Sequence, residues 1–301
     1  MHTVAAQRHR VNRAINFARS RVRDALDLES MADVACLSKY HFTRVFNAHL
    51  NETPGQYLVR IRLELAARKL IYTQRTSMTQ IAMDCGFSGS DTFSRAFRAR
   101  FGSAPRIFRT SNQWCLETIK ATHPLSKEIH KPGEMVQPDA LSNLRVRIEP
   151  RPDYRVAYIR HVGPYGDINN TISDTFSALQ RWAARRGILR SDTSYIGLCT
   201  DNSSITPARH CTYDACLVLE DDIPEDDIVS IQTIPACICA VLYVECKPVQ
   251  LNRYWTWLTS VWLPNGGTNL SFQPAYERFE GVGEKNVASD FGVELCMPLE
   301  R

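Results

Sequence analysis

No two of the ten cysteines, at positions 36, 85, 115, 199, 211, 216, 237, 239, 246 and 296, form a Cys-x-x-Cys pair, and none has a histidine at zinc-site spacing. A zinc module and a thioredoxin-type redox motif are therefore excluded, and the thiols read as buried and reduced, as expected of a cytoplasmic protein. Also absent are Gly-x-Ser-x-Gly, a phosphate-cradling glycine loop and His-Glu-x-x-His. The first twenty residues are rich in arginine but have no apolar core, so no signal peptide is expected there. The longest apolar run, Ile234 to Val244, is well short of the roughly 20 residues that cross a bilayer, and reads as a buried strand with no membrane role. With 14 glycines and 15 prolines in 301 residues the chain is neither collagenous nor low in complexity. Hydrophobic residues at 44% and charged ones at 23% describe an ordinary globular chain, long enough for two domains that each bury a core.

The net charge of +4 hides an asymmetry. Residues 1–110 hold 18 basic and 8 acidic side chains, a net of +10, which leaves −6 for residues 111–301. The amino-terminal third is built for a polyanion and the remainder is not.

Geometry favours double-stranded DNA as that polyanion. The first hundred residues repeat with an offset of about fifty: Met31-Ala32 through Cys36-Leu37 matches Ile81-Ala82 through Gly86-Phe87, and Phe42-Thr43-Arg44-Val45-Phe46 matches Phe93-Ser94-Arg95-Ala96-Phe97. Each copy reads as helix, tight turn, helix. A small alanine (Ala32, Ala82) lets the first helix approach the second. Four residues on comes a position that wants positive φ, filled by Gly86 in the second copy but by Cys36 in the first. Phe42, Val45, Phe46 and Phe93, Ala96, Phe97 make the buried stripes. The outer faces carry Tyr40, Thr43, Arg44 and Asn47 in the first copy and Ser90, Asp91, Ser94, Arg95 and Arg98 in the second, polar groups suited to base edges and phosphates. Between the copies Gln56 to Gln74 has no glycine or proline and predicts one helix of about 28 Å, close to the roughly 34 Å between successive major-groove windows.

The run Gly86-Phe87-Ser88-Gly89-Ser90-Asp91-Thr92-Phe93-Ser94-Arg95-Ala96-Phe97-Arg98, with Phe101-Gly102, Ala104-Pro105, Thr53-Pro54-Gly55-Gln56-Tyr57-Leu58 and Arg62-Leu63-Glu64-Leu65-Ala66, resembles the signature of the AraC/XylS transcription regulators. The resemblance covers residues 8–110 and implies an all-α double helix-turn-helix unit with recognition helices at about 38–48 and 89–100. It places Tyr40, Thr43 and Arg44 in one groove and Ser90, Asp91, Ser94 and Arg95 in the next. Cys36 departs from the family's glycine. Asp91 either accepts from a cytosine amino group or caps its helix without touching a base.

Residues 111–144 are polar, carry Pro124, Pro132, Gly133 and Pro138, and read as a linker. Beyond them strands are expected at 145–149, 155–161, 195–199, 213–219, 229–234, 237–245, 271–279 and 291–298, and helices at 171–186 and 251–263. The first two strands read as a hairpin about Arg151-Pro152-Asp153, and the order points to two similar α+β halves.

His161-Val162-Gly163-Pro164-Tyr165, Trp255 to Pro264, Gln273-Pro274-Ala275-Tyr276-Glu277-Arg278-Phe279 and the closing Val293-Glu294-Leu295-Cys296-Met297-Pro298-Leu299 resemble the GyrI-like effector-binding domain of regulators such as BmrR and Rob. This likeness covers about residues 145–300 and implies a pseudo-duplicated antiparallel sheet domain of the BmrR type in a Rob-like order, with Glu277 facing a central pocket. The domains are then 1–110, 111–144 and 145–301.

The residues themselves fit a bulky cationic or amphipathic effector. All five tryptophans, at 114, 182, 255, 257 and 262, lie outside the first 110 residues. Tyr165, Trp255, Trp262, Tyr276 and Phe279 with Glu277 form the candidate site, because ring faces and a carboxylate attract cations. The competing reading of each aromatic is core packing. Arg278 should point to the face opposite Glu277. Cys237 and Cys239 fall on one strand face as packing residues. The acidic stretch from Glu220 to Asp227 lacks calcium-loop spacing and reads as a solvated connection.

The sequence thus predicts a cytoplasmic DNA-binding regulator without enzymatic activity, cofactor or metal, whose partners are promoter DNA, RNA polymerase and a small-molecule effector. A hydrolase using Glu277 as general base and a protein-interaction module are the alternatives for the carboxy-terminal domain.

Overall fold

A computed structural model describes residues 4–72, 76–111, 144–165, 171–203, 205–263, 270–271, 273–280 and 291–300. The chain divides into two compact units, Met1–Thr118 and Ile119–Arg301. Nearly all of the stretch read as a linker, with Trp114, lies outside the described residues.

The first unit is helical: α1 (Val4–Ser20), α2 (Leu28–Val34), α3 (Lys39–Leu50), α4 (Pro54–Tyr72), α5 (Met78–Asp84), α6 (Ser90–Phe101) and α7 (Pro105–Thr110). The repeat is visible in its local chemistry. Asp27 and Ser77 cap α2 and α5 by accepting from Ser30 N and Gln80 N. α3 and α6 end on left-handed residues, Asn51 and Gly102. The anticipated stripe is the core, with Phe42, Phe46, Phe93 and Phe97 fully buried and Ala32 and Ala82 buried at the helix crossings.

The two tight turns share one backbone path. Leu37 N donates to Ala32 O and Phe87 N to Ala82 O, both at 3.0 Å. Cys36 keeps the left-handed conformation at φ +52°, as Gly86 does at +76°. Their surroundings differ. A Cβ on Gly86 would lie 2.7 Å from Val22 O and 2.8 Å from Arg62 Nε, whereas the Cys36 side chain is exposed. Arg62 itself donates to Val22 O and Asp24 O, so the space is not yielded cheaply. Cys36→Gly is expected to raise stability by about 1 kcal/mol, and Gly86→Ala to lower it by about 1–3 kcal/mol; urea unfolding followed by helical circular dichroism measures both.

A chain of charges crosses this unit. Arg60 of α4 donates to Glu52, in the loop after α3, at 2.6–3.1 Å and to Glu64 at 3.1 Å, and Arg100 of α6 lies 3.6 Å from the other Glu64 oxygen. Arg60, Glu52 and Glu64 are all buried.

The second unit is one antiparallel sheet. Its strands are β1 (Val146–Arg151), β2 (Tyr154–Val162), β3 (Ser194–Cys199), β4 (Thr212–Val218), β5 (Ser230–Ile234), β6 (Cys237–Cys246), β7 (Ala275–Glu280) and β8 (Phe291–Leu299). Helix α8 (Thr171–Arg185) follows β2, and α9 (Leu251–Trp257), prolonged by a π-helical turn to Trp262, follows β6. The spatial order is β1-β6-β8-β7-β3-β4-β2-β5. The two expected halves are there as β2-α8-β3-β4 and β6-α9-β7-β8, meeting at the β3–β7 pair, where Gly197 faces Glu277.

The expected hairpin between β1 and β2 does not form. β1 pairs with β6, in the other half, and β5 crosses back to pair with β2. The two-residue link Pro152-Asp153 reads locally as a hairpin turn, but it joins strands six places apart in the sheet. A flat sheet would separate them by about 29 Å, and three residue steps reach at most about 11 Å. The sheet therefore curls until its ends meet, and the link Pro235-Ala236 between β5 and β6 closes the same gap. Tyr154 of β2 and Tyr276 of β7 accordingly touch across the concave side, ring centres 6.4 Å apart. That side is packed by Val156, Tyr158, Ile196, Leu198, Cys216, Ile234, Cys239, Val241, Tyr276 and Cys296.

Candidate functional sites

α3 and α6 present the residues singled out as DNA readers. Tyr40 is 81% exposed, Arg44, Asn47, Asp91, Arg95 and Arg98 are exposed, and Thr43, Ser90 and Ser94 are half-buried at the helix margins. The Thr43 hydroxyl donates to Lys39 O at 2.8 Å, leaving its methyl and a lone pair outward. Of the two roles open to Asp91, capping is not the one adopted. Gly89, at φ −179°, is the N-cap of α6 and leaves it without a side-chain cap, while Asp91 sits in the first turn, where the helix dipole favours a carboxylate. Both helices carry guanidinium and hydroxyl groups on their outer faces and phenylalanine on the inner.

In the second unit the two faces of β7 separate the candidate residues. Glu277 lies on the face opposite the concave core and is 9% exposed. Its Oε2 accepts from Tyr213 Oη and its Oε1 from Trp255 Nε1 of α9, each at 3.0 Å. Strand alternation puts Phe279 on the same face, stacked on Tyr195 at 6.2 Å with 10° between the planes. Phe176 of α8 meets Tyr195, Tyr213 and Phe279 edge-on at 5.3–6.3 Å, and Phe291 meets Phe279. Tyr165 reaches this cluster through Tyr213, ring centres 5.9 Å apart, while its hydroxyl donates to Thr212 O and Asp201 O. Trp262 ends the π-helical turn two helical turns beyond Trp255 and is half-buried.

Tyr276 stands apart from the other candidates. It is on the concave face with Cys239 and Cys296, because adjacent residues of a strand point oppositely. Arg278 points the same way, as anticipated, and donates to Glu294 and Ser194. Tyr213, Tyr195, Phe176 and Gly197 belong to the Glu277 cluster and were not singled out from sequence. The signal for them is the β3–β4–β7 register, which no spacing within one strand carries.

Gly197 is what admits the Tyr213 hydroxyl to Glu277. A Cβ at this position would lie 1.7 Å from Tyr213 Oη and 3.1 Å from Glu277 Oε2. Burial pushes the Glu277 carboxyl up from its ordinary value against the opposing pull of Trp255 and Tyr213, and burial with the neighbouring carboxylate pushes the Tyr213 phenol well up. Among the described residues no basic side chain pairs with Glu277. The cluster is a buried carboxylate held by two neutral donors in an aromatic wall. Among the described residues there is no group of three or more metal-ligating side chains and no helix long and apolar enough to cross a membrane.

Together these features define a helix-turn-helix unit on the same chain as a duplicated sheet domain with a ligand-type cluster. Residues 145–300 match the model of the GyrI-like small molecule binding domain, and residues 31–111 that of a helix-turn-helix domain. The chain belongs to the GyrI-like family, and its amino-terminal unit is a helix-turn-helix domain of the AraC type. It is similar to the HTH-type transcriptional regulator ArgR of Pseudomonas aeruginosa, 33% identical over 104 residues that are 35% of this chain and 31% of that protein. It is likewise similar to the HTH-type transcriptional regulator Rv1931c of Mycobacterium tuberculosis, 41% identical over 91 residues, 30% of this chain and 35% of that protein. The chain thus spans about a third of the length of these relatives. Among structures, the DNA-binding domain of AdpA in complex with a target DNA covers 34% of this chain and 92% of its own at 27% identity and a TM-score of 0.33. The carboxy-terminal domain of EcmrR covers 53% and 99% at 15% identity and a TM-score of 0.43.

Proposed function

We propose that the protein is a cytoplasmic, non-enzymatic transcription regulator in which residues 1–110 bind a promoter, residues 111–144 link, and residues 145–301 bind a small lipophilic cation that alters DNA binding or contact with RNA polymerase. The observation that carries the effector reading is Glu277, buried without a basic partner among the described residues and surrounded by rings. A buried carboxylate of this kind gains most from a desolvated cation, through both Coulomb attraction and ring faces. Tyr213, Trp255, Phe279 and Tyr195 line the candidate site, with Tyr165 reaching it through Tyr213, Trp262 farther along the same helical segment as Trp255, and Tyr276 behind the sheet. On the DNA side, Tyr40, Thr43, Arg44 and Asn47 read one groove and Ser90, Asp91, Ser94, Arg95 and Arg98 the next, Asp91 by accepting from a cytosine amino group.

Titration of the full chain with tetraphenylphosphonium should quench tryptophan fluorescence, and Glu277→Gln should weaken that binding by roughly tenfold, or about 1.4 kcal/mol. An unchanged affinity would sink the counter-charge role. The pH dependence has a definite sign. The Glu277 carboxyl titrates above its ordinary value, so the affinity for a cation is high above that raised value and falls as the pH drops through it. In the free protein the same shift adds stability that is fully present below the unfolded value and is lost as the pH rises through the folded one. Ligand-induced stabilisation is therefore largest at the alkaline end, and Glu277→Gln should flatten both profiles. For DNA, Arg95→Ala should cost about 1–3 kcal/mol on a specific site; an equal loss on random duplex would make Arg95 a phosphate contact only.

A further inference from the structure

Building on the effector role proposed for Glu277, we infer that Phe176 determines which cations its site accepts. The Phe176 ring fills the place that an aryl group of the ligand occupies, and it swings out when that group enters. The ligands favoured are then cations that carry an aryl group beside the charge.

Phe176 projects from α8 onto three rings carried by the sheet. Its ring centre lies 5.3 Å from that of Phe279, 6.2 Å from Tyr213 and 6.3 Å from Tyr195, at 65–75° to each plane. These are packing distances, within the roughly 4.5–7 Å of ordinary aromatic pairs. A ligand ring inserted between Phe176 and this wall would need two such spacings in line, about 9 Å at the least, so none fits while Phe176 stays. Tyr213 links this place to the charge: its ring touches Phe176, and its hydroxyl donates to Glu277 Oε2 at 3.0 Å.

Of these four rings Phe176 is the one able to leave. Tyr195, Tyr213 and Phe279 are buried, on strands paired along both edges, whereas Phe176 is half-buried. The Tyr213 hydroxyl is tied to Glu277, that of Tyr195 bonds Gln180, and Phe279 lies parallel to Tyr195. The α8 backbone need not follow the ring. Leu179, Trp182 and Ala183 bury its inner face, and Trp182 Nε1 donates at 2.7 Å to Asp226, which also pairs with Arg186 and accepts from Ile228 N and Val229 N. Rotation of the Phe176 side chain between staggered positions therefore empties the place with the helix fixed. Lost ring burial opposes that rotation. A bound aryl group restores the contacts with the wall, and a cation without one does not.

Isothermal titration of the full chain with tetraphenylphosphonium and with tetraethylammonium tests this. In Phe176→Ala no ring has to be displaced, so the ratio of affinities, tetraphenylphosphonium over tetraethylammonium, should rise roughly tenfold above wild type. Phe176→Trp puts a larger ring in the same place and should lower the ratio. A ratio unchanged in both variants, or a Phe176→Ala protein that binds tetraphenylphosphonium more weakly than wild type, would overturn the assignment, the ring then being fixed wall. Absence of binding of either cation in wild type and both variants would overturn the effector role itself, and this assignment with it. Circular dichroism checks that each variant folds. Phe176→Leu, which keeps apolar bulk without the ring, takes the place of Phe176→Ala if that variant does not fold, and should move the ratio in the same direction.

Discussion

Arg60→Met is expected to lower the stability of the helical unit by about 3–5 kcal/mol, the penalty for stranding buried charge. Arg60 is the cation between two buried carboxylates, donating three hydrogen bonds to Glu52 and one to Glu64, and its guanidinium lies 5.2 Å from the Tyr57 ring centre. Methionine fills similar volume, so the loss reads out charge and hydrogen bonding more than packing. Adding Glu52→Gln and Glu64→Gln should return much of it, because the pair is costly to break and cheap to remove whole. The measurement is chemical unfolding of the full chain. The first unit holds most of the described helix, and Trp182, Trp255, Trp257 and Trp262 lie in the second, so helical circular dichroism reports mainly on this unit and tryptophan fluorescence mainly on the other. DNA binding should change as well: the charges run from the loop behind α3 through α4 to Arg100 on α6, so they hold both recognition helices to the one spacer. The single substitution should weaken binding to a two-groove site more than to a half-site.

Much of the helical unit is legible from sequence because its information is local. Caps, turn glycines and aromatic stripes recur at fixed short offsets, and the repeat doubles each signal; α4 begins at Pro54, two residues before the expected start, because proline is accommodated in a first turn. The Cys36 turn is legible for the same reason, the second copy showing what the first must do. What spacing does not reveal is the Glu52–Arg60–Glu64–Arg100 chain. Those residues read as surface charges until three helices bring them together.

Gly197→Ala is the second large effect. The added methyl cannot coexist with the Tyr213 hydroxyl where it stands, so the ring must swing out of the site. Overpacking of this kind costs about 1–3 kcal/mol, and the buried Glu277 loses one of its two donors, which adds about 1–3 kcal/mol. Response to a lipophilic cation should be abolished. Tyr213→Phe separates the two contributions: it removes the donor, keeps the ring and should cost only the second. Isothermal titration of both variants, with tryptophan-detected unfolding, decides the matter. Cation binding by Gly197→Ala equal to wild type would show that the Tyr213 ring does not shape the site.

In this domain the sequence shows elements and faces but not neighbours. Glu277, Phe279 and the opposite orientation of Arg278 follow from alternation within one strand. The same alternation moves Tyr276 to the back. Tyr213 and Gly197 come from strands about 60–80 residues earlier, and only pairing brings them to Glu277. The hairpin about Pro152-Asp153 failed for a related reason: a short link fixes the distance between strand ends, not which strands pair, and the curled sheet satisfies the distance in another way.

The exchange of β1 and β5 between halves also orders events during synthesis. The described helices of the first unit are all translated by Thr110, and the four strands β2 to β5 pair among themselves by Ile234. β1, translated before any of them, waits for β6, with Val146 paired to Leu242. Non-local pairing of this kind is slow, and an unpaired strand is open to wrong partners until it closes. The first strand of the sensor is thus secured only after four later strands have paired, and a nascent chain passes through a stage with the described helices of its DNA-binding unit made and its ligand-binding unit unfinished.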